Sequence, residues 1–428
     1  MVTKIIFRFL ITLVLMIGVD IYFYQAAKVV IDKYFPKFRK PLISGHWGFT
    51  VLMYATVALL ALSVSGWLDV PRHFFTYPLL IIFGMYLSRL LGSVVVLFDD
   101  IRRGVVWLFG KFSGSKTDAK KPDEDEVPIM SGRKISRSEF LSTTALAVAA
   151  VPVSAMSFGI ISGAHDYRVR RVKVPLKNLP KEFHGIRFAQ LSDIHTGSFF
   201  NKTAVKGGVE MLLSEKPDAV FFTGDLVNNE TKEVNEYFDV FEKVKAPLGV
   251  YSTLGNHDYG DYRVWANKKA KEKNLADMHE AHRRLGWNLL LDENRALKVD
   301  GKSIGLVGVE NWGAGRFAKY GNLQNAIKGT EDYPVKVLLS HDPSHWDHQV
   351  LPDSDIDLMF AGHTHGFQFG IEIGAFKWSP AQYRYKQWAG LYEKDNRFLY
   401  VNRGFGYLGF PGRVGMPPEI TITELVKA

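Results

Sequence analysis

The chain has no cysteine in its 428 residues. That excludes disulfide bonds, thiolate metal ligands and cysteine nucleophiles. It leaves the compartment open, because exported chains without disulfides are common. Acidic residues are also in deficit, with 44 Asp and Glu against 53 Lys and Arg, a formal charge of +9. Such an excess suits nucleic acid or an anionic lipid surface. Most of it, however, sits in loops between apolar segments and reads first as a topology signal. No internal repeat is visible. The length is too great for one simple domain, and apolar runs crowd the first 165 residues.

Four segments have the roughly 20 mostly apolar residues that a membrane helix needs. They are Ile5 to Tyr24, Trp47 to Leu68, Tyr77 to Phe98 and Phe140 to Ile161. Val105 to Phe109 is too short to span. Lysine and arginine placement sets the orientation. The loop after the first span (Lys28, Lys33, Lys37, Arg39, Lys40) and the segment after the third (Arg102, Arg103, Lys111, Lys116, Lys120, Lys121, Arg133, Lys134, Arg137) carry fourteen. The opposite side carries three, Lys4, Arg8 and Arg72. The count places those two loops in the cytoplasm, so the fourth helix runs outward. The expected layout is a transmembrane region over 1–112, a flexible cytoplasmic linker over 113–138, a fourth helix over 139–163 and a soluble domain over 184–428. The expected location is the cytoplasmic (inner) membrane, multi-pass, with the C-terminal domain extracytoplasmic. Ser136-Arg137-Ser138-Glu139-Phe140-Leu141 is a degraded match to a twin-arginine export signal, since Ser138 stands where the second arginine belongs. Arg89 lies inside the third span, as a functional charge or as a structural arginine facing the bundle.

From Gly185 onward the pattern changes. Short apolar runs alternate with polar segments of helical period, which indicates an α/β domain. The runs are Ile186–Leu191, Ala219–Phe222, Gly249–Leu254, Ile304–Val309, Val335–Leu339, Ile356–Phe360 and Phe398–Val401. Helices are expected at Thr203–Ser214, Lys232–Val244 and Ala276–Leu285.

The residues just beyond the runs carry the chemistry. The first run ends in Asp193-Ile194-His195 and the second in Gly224-Asp225-Leu226-Val227-Asn228. The third ends in Gly255-Asn256-His257-Asp258. The Val335 run ends at His341, and the Ile356 run in Gly362-His363-Thr364-His365. Ligand sites in open α/β sheets lie at the carboxyl ends of strands. Carboxylate oxygens and imidazole nitrogens suit hard or borderline divalent cations. Two such cations roughly 4 Å apart repel, and a bridging carboxylate offsets that. His279, His282, His345 and His348 fall outside the ordered set and read as structural or surface residues.

These blocks resemble the calcineurin-like metallophosphoesterase superfamily, with its ordered DxH, GDxxN, GNHD, lone His and GHTH. The resemblance covers Phe183 to the C-terminus. Gln368, Asn402-Arg403-Gly404-Phe405-Gly406 and Pro418-Glu419-Ile420 are similar to its bacterial membrane-linked phosphodiesterase branch. The resemblance implies a four-layer αββα sandwich, here preceded by an all-α transmembrane region of four helices. It implies two divalent metal ions (Mn, Fe, Zn or similar). Asp193, His195 and His365 would hold one, Asn256, His341 and His363 the other, and Asp225 would bridge them. His257 would face the phosphate and assist the leaving group. Asn228 stands where the phosphatase branch has an aspartate that orients this histidine. Phe367 stands where relatives often have a second glycine, and its ring would narrow the mouth of the site or offer a stacking face, as a candidate substrate-binding residue.

The reaction implied is metal-dependent hydrolysis of a phosphate ester. A domain held near a bilayer suggests phosphodiesters of lipid or cell-envelope substrates. The segment Tyr259–Arg284, with Trp265, Lys268, Lys269, Lys271, Lys273, Arg283 and Arg284, comes after the GNHD block and offers either headgroup contacts or a solvated helix face. Arg316 is a further candidate phosphate contact. The membrane bilayer is the expected partner and no nucleic acid is expected. Two other classes remain open: a nucleotide phosphodiesterase or nuclease, and a non-enzymatic membrane sensor retaining the fold.

Overall fold

The structure is a computed structural model that describes residues 2–64, 68, 76–112, 126–128, 134–374 and 376–428. Most of the expected linker, including Lys116, Lys120, Lys121 and Arg133, and Arg72 in the second loop, lie outside the described residues. The chain divides into two compact units, Met1–Ser157 and Phe158–Ala428.

The first unit is helical. Its helices are α1 (Val2–Tyr34), α2 (Arg39–Val64), α3 (Thr76–Phe112) and α4, which starts at Arg137 and runs to Ile161. All four are long and apolar enough to cross a membrane. Each is longer than the expected span, although α2 ends at Val64, short of the expected Leu68, and α3 absorbs Val105–Phe109 into one continuous helix. Val14, Leu15, Phe83 and Phe98 are exposed on the outside of the unit. Such apolar exposure suits lipid as solvent, because lipid tails do not drive apolar side chains inward. Arg89 is buried and hydrogen-bonds to Asp20 of α1 and, at 3.0 Å, to Thr50 of α2. Asp20 also accepts from Tyr86 at 2.6 Å and from Tyr54. Arg89 is therefore a paired, bundle-facing arginine, and the partner that local sequence could not name is Asp20. Ser136 caps α4 by accepting from the Glu139 N–H at 3.2 Å, and Arg137 pairs with Asp99 at 2.7 Å.

The second unit is built on two six-stranded mixed sheets. In the first sheet the order is Arg168–Leu176, Glu419–Lys427, Arg187–Leu191, Ala219–Thr223, Val250–Thr253 and Asn288–Leu289. The strand Glu419–Lys427 runs antiparallel to Arg187–Leu191, and every other pairing is parallel. In the second sheet the order is Gly390–Lys394, Arg397–Val401, Leu358–Ala361, Lys336–Leu339, Lys302–Gly308 and Glu293–Val299. Its two edge pairings are antiparallel and its centre is parallel.

The period-2 alternation of a strand sorts side chains into layers. Phe188, Phe221, Val337, Leu339, Leu358 and Phe360 point between the sheets and share one core. Phe221 and Phe360 meet across it with ring centroids 5.5 Å apart. Their neighbours Ala189, Val220 and Phe222 point the other way. They pack on Val205, Val209 and Leu212 of α5 (Lys202–Ser214) and on Met278 and Leu285 of the helix Lys268–Leu285. Leu338, Met359 and Leu399 pack outward on Leu323, Trp346 and Val350. The result is the expected αββα sandwich. Central strands covered on both faces are mostly apolar, which explains the near-continuous runs in the sequence.

Besides the two-residue edge strand Asn288–Leu289, four strands of these two sheets have no apolar run to announce them and were not expected: Arg168–Leu176, Glu293–Val299, Gly390–Lys394 and Glu419–Lys427. The first three lie at sheet edges and alternate with charge. The fourth is central but buries Thr421 and Thr423 rather than an apolar run. Arg168–Leu176 also lies ahead of residue 184, inside the same sheet. The expected helix at Lys232–Val244 is a 3₁₀ segment, Thr231–Tyr237, followed by the single turn Phe238–Phe241. The helix expected at Ala276 begins eight residues earlier, at Lys268, capped by the Asn267 side chain.

Candidate metal and catalytic site

The five sequence blocks converge at the carboxyl ends of the central strands of both sheets. They form two groups of side chains, each able to hold a metal ion: Asp193, His195 and His365, and Asp225, His341 and His363. Within each group the ligand atoms lie within 4.8 Å of one another. His365 Nε2 is 3.3 Å from Asp193 Oδ1 and 3.1 Å from His195 Nε2. His341 Nε2 is 3.2 Å from His363 Nδ1. Asp225 joins the groups, since its Oδ2 is 3.1 Å from His341 Nε2 and 3.5 Å from His195 Nε2. One carboxylate oxygen thus faces both sets, as a bridging ligand must.

The local backbone is bent to make this possible. Asp193, His195, Asp225, His363 and His365 all have positive φ, between 50° and 71°. Non-glycine residues rarely adopt this region, and it clusters at functional sites. Gly255 lets the loops approach, because a Cβ there would stand 2.2 Å from Asp225 Oδ1.

Carbonyl partners fix the imidazoles. A carbonyl oxygen only accepts, so the ring nitrogen facing it carries the proton. His195 Nδ1 donates to Val227 O at 3.2 Å and His341 Nδ1 to Thr223 O at 2.7 Å. Nε2 of each is thereby left for the site. Burial pushes His195 down to about 3 and His363 to about 4. For His341, burial is outweighed by the Asp225 carboxylate, which raises it to about 10. Burial raises Asp193 to about 6. Asn256 Nδ2 donates to Tyr262 Oη at 2.8 Å, while its buried Oδ1 has no hydrogen-bond partner. A buried, unsatisfied carbonyl costs about 1–3 kcal/mol. A cation would satisfy it, so the donor set fits divalent metals.

His257 is half-buried, with Nδ1 2.7 Å from the main-chain carbonyl of Asn228. Here the structure amends the expectation for Asn228. That residue holds the histidine through its backbone, and its side chain turns away to Ser198 Oγ at 2.9 Å. Asn228 is fixed in turn by Glu233, which accepts the Asn228 and Asn229 N–H groups at 2.6 and 3.1 Å.

The groups open into a cleft of about 460 Å³. Asp225, Asn256, His257, His363 and His365 form its floor, and Tyr262, Phe317, Phe367, Tyr385, Leu408 and Phe410 its aromatic and apolar walls. Phe367 is in the lining, as expected. Arg316 is exposed and is not; its neighbour Phe317 takes that place. The basic residues of Tyr259–Arg284 do not line the cleft either. Lys271 pairs with Asp261, Lys273 with Asp277 at 2.8 Å and Arg283 with Glu280 at 2.5 Å. His282 and His345 are structural, bonded to Ser252 Oγ at 2.9 Å and Ser340 Oγ at 2.8 Å.

Of the supporting residues, Arg413 had no sequence signal, while Asp258, Arg403 and Glu419 lay in the sequence blocks with no role assigned to them. Buried Asp258 accepts the N–H groups of Asp225, Leu226, Val227 and Gly255, tying two strand-end loops together. Arg413 is fully buried and donates to the carbonyls of Gly406 at 2.9 Å and Arg403 at 2.8 Å. Its Nη2 lies 3.3 Å from His365 Nδ1. Arg403 pairs with buried Glu419 at 2.5 Å, which accounts for the Asn402–Gly406 and Pro418–Ile420 blocks as one structural unit.

Residues 186–367 match the family model described as "Calcineurin-like phosphoesterase", and residues 4–164 match "Probable Calcineurin-like phosphoesterase, transmembrane domain". The chain is 29% identical over 293 residues to a transmembrane protein with metallophosphoesterase domain from Danio rerio, covering 67% of this chain and 63% of that protein. It is 25% identical over 296 residues to phosphodiesterase YaeI of Escherichia coli, covering 68% and 100%. It is 28% identical over 297 residues to the UDP-2,3-diacylglucosamine pyrophosphatase LpxG of Chlamydia trachomatis, covering 57% and 86%. The chain therefore spans less than two thirds of the Danio rerio protein's length. With four membrane-length helices ahead of this site, the chain is a membrane protein whose residues 186–367 form a calcineurin-like phosphoesterase domain.

Proposed function

We propose that the chain is a metal-dependent phosphoesterase that cleaves phosphodiester bonds of lipid or cell-envelope substrates at a membrane surface. The observation that carries this reading is the pair of adjacent ligand groups joined through Asp225 Oδ2. In this reading Asp193, His195 and His365 hold one divalent cation, Asn256, His341 and His363 a second, and Asp225 both. Bound there, the cations would lower the pKa of a shared water and neutralise phosphate charge.

The remaining work falls to the chain itself. His257, tethered by the Asn228 carbonyl, presents Nε2 toward the scissile phosphate and stabilises the charge of the departing oxygen. The aromatic walls exclude water and seat an apolar substituent. Among the described residues the cleft lining contains no lysine or arginine. A singly charged diester needs less counter-charge than a doubly charged monoester, so the lining favours the diester. An acyl-bearing substrate is in keeping with those walls and with the name of LpxG. The lysine and arginine count argues for an extracytoplasmic C-terminal unit.

The test is hydrolysis of bis-p-nitrophenyl phosphate by the full-length protein in detergent with manganese. Wild type should turn over and Asp225→Asn should not. Equal rates for the two would overturn the reading. A panel of lipid phosphodiesters, phosphomonoesters and nucleotide diesters in mixed micelles would then rank substrate classes.

A further inference from the structure

Two phenols outside the five blocks touch ligands of the second group and none of the first. Tyr385 Oη lies 2.9 Å from His363 Nε2. Since His363 Nδ1 faces His341 Nε2 at 3.2 Å, Nδ1 is the nitrogen given to the ligand group. Nε2 then carries the proton and donates to the phenol. Tyr262 Oη accepts from Asn256 Nδ2 at 2.8 Å. An amide held by its nitrogen has its oxygen committed to the other side, and Asn256 Oδ1 is the buried atom without a partner. Each phenol therefore decides which atom of its ligand is offered to a cation.

A main-chain carbonyl fixes one histidine in each group, His341 through Thr223 in the second, but among the described residues no phenol bonds the first. His195 is fixed by the Val227 carbonyl, and Arg413 stands beside His365. Both tyrosine rings also line the cleft. The Tyr262 ring sits 4.4 Å from the His257 ring, and the Tyr385 ring 6.4 Å from that of Phe367. The phenols thus stand between the substrate space and one of the two ligand groups.

We propose that Tyr262 and Tyr385 are positioning residues for the cation bound by Asp225, Asn256, His341 and His363, and for that cation alone. The inference rests on the metal-dependent reading above. Losing an outer hydrogen-bond partner of a metal ligand weakens the site by about 10–100-fold. The two sites should therefore separate in affinity when the phenols are removed.

The experiment is equilibrium dialysis of the full-length protein in detergent against Mn²⁺, with electron paramagnetic resonance to detect coupled manganese pairs. Tyr262→Phe and Tyr385→Phe keep the rings and remove only the hydroxyls. Each should raise the Kd of one of two sites by about 10–100-fold and diminish the coupled signal. The other site and the melting temperature of the metal-free protein should stay at wild-type values. Wild-type Kd at both sites in both variants would overturn the inference, as would equal weakening of both sites. A wild-type protein that binds two Mn²⁺ yet hydrolyses no phosphodiester would instead sink the proposed function and leave this inference to be judged by the Kd values.

Discussion

Asp258 offers a sharp test of how the site is held. Its Oδ1 accepts the N–H groups of Leu226 and Val227 at 2.8 and 3.3 Å, and its Oδ2 those of Asp225 and Gly255, both at 2.9 Å. It is fully buried, so water cannot replace it. In Asp258→Asn one of the two oxygens becomes an NH₂. Whichever way the amide turns, two main-chain donors then face another donor. Each buried group left unsatisfied costs about 1–3 kcal/mol, so the loss should be about 2–6 kcal/mol. That is a large share of the 5–15 kcal/mol typical of folded proteins. At about 2–4 °C per kcal/mol, the melting temperature should fall by at least about 4 °C. The assay is thermal unfolding of the full-length protein in detergent, read by near-ultraviolet circular dichroism, with manganese content measured in parallel. The Asp225 loop should also loosen, so metal content should fall. An unchanged melting temperature with full metal content would refute the argument.

Three further outcomes are expected. Asn228→Ala should lower kcat less than tenfold, because the His257 anchor is a backbone carbonyl, whereas His257→Ala should cost about 10²–10⁴-fold; steady-state kinetics on a diester checks both. Gly255→Ala should abolish activity, its Cβ standing 2.2 Å from Asp225 Oδ1, while Gly207→Ala in α5, with nothing within 4 Å, should be neutral in the same assay. Arg403→Met should destabilise the protein by up to about 3–5 kcal/mol, since it takes the nearer of two arginines from buried Glu419 and leaves Arg170 at 3.3 Å, and denaturant unfolding measures that directly.

The layers of the sandwich and the identity of the converging blocks were legible in the amino-acid order alone. Parallel strands covered on both faces are mostly apolar, so Arg187–Leu191, Ala219–Thr223 and Leu358–Ala361 announce themselves despite buried Gln190 and Thr223. Ligand chemistry limits the side chains at their ends to carboxylate, amide and imidazole. The membrane helices are legible for a similar reason, since hydrocarbon demands an apolar stretch of fixed length. Local sequence did not carry whatever depends on chain segments far apart. Edge strands need only one apolar face, and a central strand such as Glu419–Lys427 can bury Thr421 because Asn402 Nδ2 donates to its Oγ1 at 2.8 Å and the hydroxyl donates on to Glu419. Asp20 and Arg89 are 69 positions apart, so only the packed bundle shows them as a pair. Asn228 stands where the resemblance places an orienting side chain, whereas the fold sets its carbonyl 2.7 Å from His257 Nδ1 and turns its amide toward Ser198. The cleft walls, from Tyr262 to Phe410, come from loops well separated along the chain. Which of those loops meet over the ligands was settled by how the two sheets stack, because that stacking alone sets the distance between their strand ends.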